Sequence, residues 1–382
     1  MIGELKPFNT IGPEEIAAAT DAMKNGPLSG FLGGIRHGGY YVEKLEHEFA
    51  SILKVRNAIA TNSATSGLLM ACMAAGVGYG DEVVTTPFTM SATAAAPAFI
   101  GAEVSFGDIE EETFCLDVEA LYLSMETKAI ITTNLFGHPS ALKEMMHYVN
   151  LSTKVLHNTP ILIEDNAQSP FSMEYGSYAG TIGHIGVFSG NVHKALQCGE
   201  GGICVTNDDD LAEKMRMARN HGEMAGGPIG LNLRLSEVHA AIWLAQLEKR
   251  EEIISSRIAL AEYLTDAVKG ISGLTPPVVR EGCKSVFYCW ALKIANNRDD
   301  FVQAMQAEGV PLRAGYVPPL YRLPAFQKFA RPCPVAERMH DKELVLFEIC
   351  AYDPTHKQLE QIKDAFHRVA ERVLAVRSSG AQ

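Results

Sequence analysis

Apolar positions recur along this chain with two different periods. From residue 40 they fall at Val42, Leu45, Phe49 and Leu53, one face of a helix. Asn57-Ala-Ile-Ala-Thr61 then reads as a short strand, followed by the small polar turn Asn62-Ser-Ala-Thr-Ser-Gly67 and a helix through Leu68, Leu69 and Cys72 to Ala75. Further strands are predicted at Glu82 to Thr86, Glu103 to Phe106, Ala129 to Thr133 and Pro160 to Ile163, the last running into Glu164 and Asp165. Helical segments from about Ser91 to Phe99 and from Ala141 to Val149 alternate with them. This alternation predicts an α/β fold with a mostly parallel, doubly wound sheet, whose ligands gather at the carboxyl ends of the strands.

The flanking segments extend the pattern. An amphipathic helix is expected from about Gly12, with Pro13 in its first turn and Ile16, Ala17, Ala18 and Met23 as its apolar side. The stretch Leu28 to Gly39 holds five glycines, as an active-site loop or as a flexible connector. One long helix is predicted from Leu235 to Leu264, bridging to a smaller α+β unit. That unit has a strand over Phe287 to Leu292, a helix over Arg298 to Glu308 and a closing helix from about Thr355 to Val376. Prolines at 311, 318, 319, 324, 332 and 334 mark an irregular segment that could fold over a site. We therefore expect a large domain over residues 1–250 and a small domain over 251–382.

Composition narrows the function classes. At 382 residues, with 47% hydrophobic and 20% charged residues, the chain is ordinary globular protein, with disorder expected only in the Ser378–Gln382 tail. A net charge of −12 argues against a nucleic-acid footprint, which needs clustered Lys and Arg. The start of the sequence lacks the basic and apolar regions of a signal peptide, and no apolar run is long enough for a membrane span. The eight cysteines lack paired Cys-x-x-Cys spacing, so neither a zinc site nor a disulfide scaffold is indicated, and a cytoplasmic setting is expected.

Chemistry concentrates in Val187 to Gly202. Lys194 stands among Phe188, Val192, Leu196 and Cys198, where partial desolvation would lower its pKa and sharpen it as a nucleophile towards a carbonyl. Taken alone it reads more readily as a snorkelling lysine on a loop next to a strand. Its company changes the reading. The turn at Ser63, Ala64 and Thr65 opens a helix and offers unpaired N–H groups to a phosphate, and Asp165 ends a predicted strand. A carboxylate, a phosphate cradle and a lysine are the parts that pyridoxal phosphate chemistry requires.

The sequence also resembles the DegT/DnrJ/EryC1/StrS sugar aminotransferases, within the fold-type I, aspartate aminotransferase-like enzymes. The resemblance is carried by Asn62-Ser-Ala-Thr-Ser-Gly67, Gly80-Asp-Glu-Val83, Thr89-Met-Ser-Ala-Thr93, Glu164-Asp-Asn-Ala-Gln168, Gly180-Thr-Ile-Gly183, Phe188-Ser189, Lys194, Gly199-Glu-Gly-Gly202, Arg219-Asn-His-Gly222 and Leu231-Asn-Leu-Arg234. It implies that Lys194 forms the Schiff base with pyridoxal 5'-phosphate and moves the proton. Asp165 would pair with the pyridine nitrogen and Gln168 would lie near the ring hydroxyl. Ser189, Ala64 and Thr65 would hold the phosphate, with Asn232 reaching it from the other subunit of a homodimer.

Two departures from the family pattern stand out. Met90 occupies the place of the usual stacking aromatic, so Phe88 is the preferred stacking residue, with Met90 as the alternative. Asn191 stands where members often carry histidine, and His193 adjoins the lysine instead. The implied reaction is transfer of an amino group from an amino acid, L-glutamate, to a nucleotide-linked keto-deoxysugar through pyridoxamine phosphate. A dehydratase of deoxysugars is the alternative, and a non-enzymatic sensor on the same fold is a remote one. Arg36, His37, Arg234, Arg313 and Arg322 are candidate anion-binding groups, and His138, His221 and Tyr316 candidate sugar-pocket residues.

Overall fold

Runs rich in Val, Ile and Thr pair into a seven-stranded sheet across the residues described in the computed structural model, 2–31, 37–156, 159–222 and 229–374. The strands are β1 (Asn57–Thr61), β2 (Glu82–Thr85), β3 (Glu103–Phe106), β4 (Thr127–Thr133), β5 (Ile161–Asp165), β6 (Ile185–Ser189) and β7 (Gly202–Thr206). Their order is β1-β7-β6-β5-β4-β2-β3. Neighbours pair in parallel except at β7, which runs antiparallel to both β1 and β6. The reversed strand was hidden in the sequence behind the Gly-Glu-Gly-Gly turn that precedes it. Residues 32–36 of the glycine-rich stretch, Arg36 among them, and the carboxyl-terminal tail lie outside the described residues.

Helices cover both faces, as double winding requires. They are α1 (Pro13–Asn25), α2 (Tyr40–Leu53), α3 (Ala64–Ala74), α4 (Ala92–Phe99), α5 (Leu142–Leu156), α6 (Asp209–Arg219) and α7 (Glu237–Glu248). Ile59, Val187, Ile163 and Ile131 point to α3, α4 and α6, whereas Ala60, Ile203, Val205 and Phe188 point to α2 and α7. Val42, Leu45, Phe49 and Leu53 of α2 are all buried, as their spacing predicts. Helix α1 is the exception: Ile16 and Met23 are 63% and 58% exposed, and Glu15 faces inward. The Glu15 carboxylate accepts hydrogen bonds from the Gly12 N–H at 2.7 Å, Gln246 Nε2 at 2.8 Å and Lys249 Nζ at 2.8 Å, so polar satisfaction sets the rotation of the helix.

The predicted long helix is divided at Lys249 into α7 and α8 (Arg250–Val268), where the Lys249 ammonium also donates to the Thr10 carbonyl at 3.0 Å. Ile253 and Ile254 of α8 join the core of the large body, while Leu260, Leu264 and Val268 join that of the small one. The small body is an antiparallel sheet of β8 (Leu274–Thr275), β9 (Trp290–Ile294), β10 (Arg313–Ala314) and β11 (Leu344–Phe347), in the order β8-β9-β11-β10. It is covered by α9 (Arg298–Ala307) and α10 (His356–Val373). Ile2 and Leu5, at the start of the chain, pack into this core too. The strand expected from Phe287 begins at Trp290 because Phe287 takes a φ of +50°, which breaks the extended run.

An inward-facing ion pair fixes the strand that leads to the site. Arg219 Nη1 lies 2.5 Å from Glu46 Oε1 and 2.8 Å from the Ala60 carbonyl, and Glu46 Oε1 accepts the Ala60 N–H at 2.8 Å. One residue of β1 is thereby clamped between α2 and α6. Among the described residues, no helix is long and apolar enough to cross a membrane.

Candidate active site

The carboxyl ends of β1, β5 and β6 open on one cavity of about 320 Å³. At the end of β1 the chain turns into α3, capped by Ser63, whose Oγ accepts the Ser66 N–H at 3.1 Å. The N–H groups of Ala64 and Thr65 have no partner within the helix, and with the helix dipole they make an anion cradle. Gly202 is required beneath it: a Cβ there would lie 2.4 Å from the Ser63 carbonyl and 2.6 Å from the Ala64 nitrogen. Ser189, the last residue of β6, lines the same cavity.

Asp165 ends β5 with its carboxylate buried. Thr93 Oγ1 donates to Oδ2 at 2.8 Å and the Ala167 N–H to Oδ1 at 3.2 Å. Burial pushes its pKa above the usual carboxylate range, against the opposing pull of Thr93, the Ala167 N–H and the Lys194 charge. Burial acts oppositely on Lys194, holding its amine below the ordinary lysine value although the Asp165 carboxylate favours the ammonium. Both residues face the cavity, as do Ala64, Thr65 and Gln168. The arrangement supplies an amine of lowered pKa, a buried counter-charge and a phosphate cradle within one enclosure.

Several contributors were not legible in the sequence. Thr89 links Thr133 and Thr93 through hydroxyl contacts of 3.0 and 3.1 Å, so a chain of threonines from β4 and α4 leads to Asp165. Only the Thr89-Met-Ser-Ala-Thr93 motif hinted at it. Gln168 accepts the Phe136 N–H at 3.0 Å and donates to the Tyr316 hydroxyl at 3.0 Å, which brings the expected Tyr316 to the wall. Tyr288, Asn191, His193 and Glu200 line the cavity as well.

Other expected residues stand elsewhere. Phe88 does not line the cavity: it is fully buried in the core, its ring 5.8 Å from that of Tyr316, and the exposed side chain that reaches the cavity from this loop is Met90. Of the two stacking candidates, Met90 is the one brought to the cavity, because the backbone after β2 turns Phe88 inward. Asn232 is exposed and outside this cavity. Arg234 is bonded to Asn220, Arg313 to Glu348 and Arg322 to Asp341, and none of the three lines the cavity. His37 and His221 also lie outside it.

His138 is a structural residue and not part of the pocket wall. Its Nδ1 lies 2.7 Å from the Pro139 carbonyl and its Nε2 accepts the Arg280 N–H at 3.0 Å, a pairing that only the neutral ring satisfies. Burial lowers its pKa from the ordinary 6.5 to about 4. In that interval the unfolded chain takes up a proton that the folded chain refuses, so the contribution is complete above pH 6.5 and lost as the pH falls towards 4. Replacing His138 by Gln is expected to reduce the stability lost across this window by about 3 kcal/mol. Denaturant titrations at either end of the window check this, and equal acid sensitivity in both proteins would contradict it.

A family model described as the DegT/DnrJ/EryC1/StrS aminotransferase family matches residues 9–367. The chain belongs to this family. It is 32% identical over 314 residues to the UDP-2-acetamido-2-deoxy-3-oxo-D-glucuronate aminotransferase of Pseudomonas aeruginosa, covering 80% of this chain and 85% of that one. It is 29% identical over 340 residues to the GDP-perosamine synthase of Caulobacter vibrioides, covering 85% and 87%. A DegT DnrJ EryC1 StrS aminotransferase from Brucella abortus, known by crystal structure, superposes with a TM-score of 0.81 at 27% identity, covering 93% of this chain and 95% of that one. DegT/DnrJ/EryC1/StrS aminotransferases are pyridoxal phosphate enzymes, and the cavity of this member fits that cofactor. The unpartnered N–H groups at the start of α3 suit a phosphate, and the buried Asp165 suits a protonated ring nitrogen.

Proposed function

We propose that this aminotransferase moves an amino group from L-glutamate to a keto sugar carried on a nucleotide. The observation that carries the reading is the convergence of Lys194, Asp165, Ser189 and the Ala64–Thr65 cradle on one cavity. When bound, pyridoxal phosphate supplies the carbon that carries the amino group and a ring that accepts electrons from the substrate carbon. Around it, Ala64, Thr65 and Ser189 hold the phosphate, Asp165 keeps the ring nitrogen protonated, and Gln168 stands near the ring hydroxyl. Lys194, its amine depressed by burial, takes up and returns the proton at the substrate carbon. Lys194 stands at a position where some dehydrating relatives carry histidine, which supports transamination over dehydration.

The names of the two relatives above specify a UDP-linked oxo sugar and GDP-perosamine, which supports a nucleotide-linked acceptor. We further propose a cytoplasmic homodimer in which Asn232 completes the phosphate site of the second subunit. Its exposure away from its own cavity supports this, as do the exposed apolar side chains Ile16, Met23, Leu28 and Ile229.

The test is a panel of UDP-, GDP- and dTDP-linked keto sugars incubated with glutamate. One acceptor is expected to yield an aminated sugar together with 2-oxoglutarate. Oxoglutarate formation without any aminated sugar, or a deoxygenated product lacking the amine, would sink the proposal.

A further inference from the structure

Tyr288 enters the site from the small body, on a segment stitched to the loop after β4. The Val286 and Tyr288 N–H groups donate to the carbonyls of Gly137 and Phe136, each at 2.9 Å, and Ser285 Oγ donates to Gly137 at 3.1 Å. The spacing of the two segments is tight, since a Cβ on Gly137 would lie 2.4 Å from the Phe287 nitrogen. Phe136 and Phe287 take φ of +54° and +50°, a region that non-glycine residues rarely occupy and that the surrounding contacts must hold. The N–H of the same Phe136 is bonded to Gln168. One residue therefore ties the glutamine of the cavity to the tyrosine, and the ring of Tyr288 comes to rest with its centroid 4.5 Å from Lys194 Nζ.

We propose that Tyr288 is a positioning residue for the reactive amine, its ring face holding the protonated form of Lys194 and aiming it into the cavity whenever the amine is free. The inference rests on Lys194 as the reactive group. An aromatic face attracts an ammonium and not a neutral amine, so the ring favours protonation. Burial favours the neutral amine, with the Asp165 carboxylate opposing it. The other groups facing the site are His193, Glu200 and Tyr316 on the cavity wall, with Cys289 and Cys350 from the small body. Burial pushes the Cys350 thiol up to about 12 and the Cys289 thiol well above its usual value, so both are neutral near pH 7. The Tyr288 phenol is likewise pushed up by burial and stays protonated, so it sets no phenolate charge beside the lysine.

A proton carried by Lys194 has to be held between its removal from one carbon and its delivery to the next. A ring attracts the ammonium without accepting the proton, so it steadies the charged amine while leaving transfer open. A second carboxylate here would bind the ammonium more strongly and resist giving up the proton.

The test is competitive acetylation across pH of the full-length enzyme in its pyridoxamine phosphate form, where Lys194 is not covalently engaged. Mass spectrometry reads the peptide carrying Lys194, with that of Lys249 as an internal reference for the fold. Tyr288→Leu is expected to lower the labelling midpoint of Lys194 by about one pH unit, while Tyr288→Phe, which keeps the ring, leaves it in place. An unmoved midpoint in Tyr288→Leu, or an equal shift in Tyr288→Phe, overturns the proposal. Tyr288→Met provides a second ringless variant should the leucine variant not fold. Because the readout is the amine itself, failure of the sugar panel would leave this result standing, and the converse also holds.

Discussion

Replacing Lys194 by alanine is expected to end covalent retention of pyridoxal phosphate and to lower turnover by about 10⁴-fold or more, since nucleophile and proton carrier are lost together. Among the described residues, no other lysine lines the cavity, so nothing nearby can take over either task. Borohydride treatment followed by peptide mass spectrometry should find the cofactor fixed to position 194 in the parent protein and nowhere in the variant. The fold should be largely unaffected, because among the described residues the lysine side chain has no hydrogen bond and its contact with the Tyr288 ring is a single one. A variant that still carried fixed cofactor would show that the wrong amine has been chosen.

Asp165→Asn is expected to cost on the order of 10²–10³-fold in kcat, the scale for removing one preorganised electrostatic partner. The substitution keeps the shape of the side chain and a carbonyl oxygen for Thr93, but removes the charge that faces both the cavity and Lys194. The Ala167 N–H, which donates to the other carboxylate oxygen, loses its acceptor in the variant, so the unfolding curves should differ by about 1–3 kcal/mol and no more. Full activity in the variant would mean that the ring nitrogen finds its proton elsewhere.

The strand and helix pattern was readable wherever burial followed a simple period, as in α2 and in β1 to β5. That Lys194, Asp165 and the turn at 63–65 share one cavity was legible because the turn opens a helix and the other two lie at or past strand ends, which the same periods locate; Ser189 entered only through the family resemblance. The direction of Phe88 was not legible: sequence spacing says that a ring lies near the loop, and only the turn after β2 decides whether it points to core or cavity. The apolar side assigned to α1 failed because Glu15 has two partners far away in sequence, Gln246 and Lys249, beside the N–H of Gly12 at the helix start. Tyr288 was hidden for a similar reason. It lies nearly a hundred positions from Lys194 and reaches it through a left-handed backbone at Phe287, which no residue-type preference announces.

The reversed strand β7 has a consequence for how the molecule comes into being. Thr61 pairs with Gly202, and the peptide of Ser63 and Ala64 rests directly against that glycine, so the floor of the cradle is supplied by a segment made much later in synthesis. Pairings between segments so distant close slowly, because the loop entropy is lost before the contact repays it. The growing chain therefore has no floor under the turn at Ser63 and Ala64 until β7 takes its place between β1 and β6.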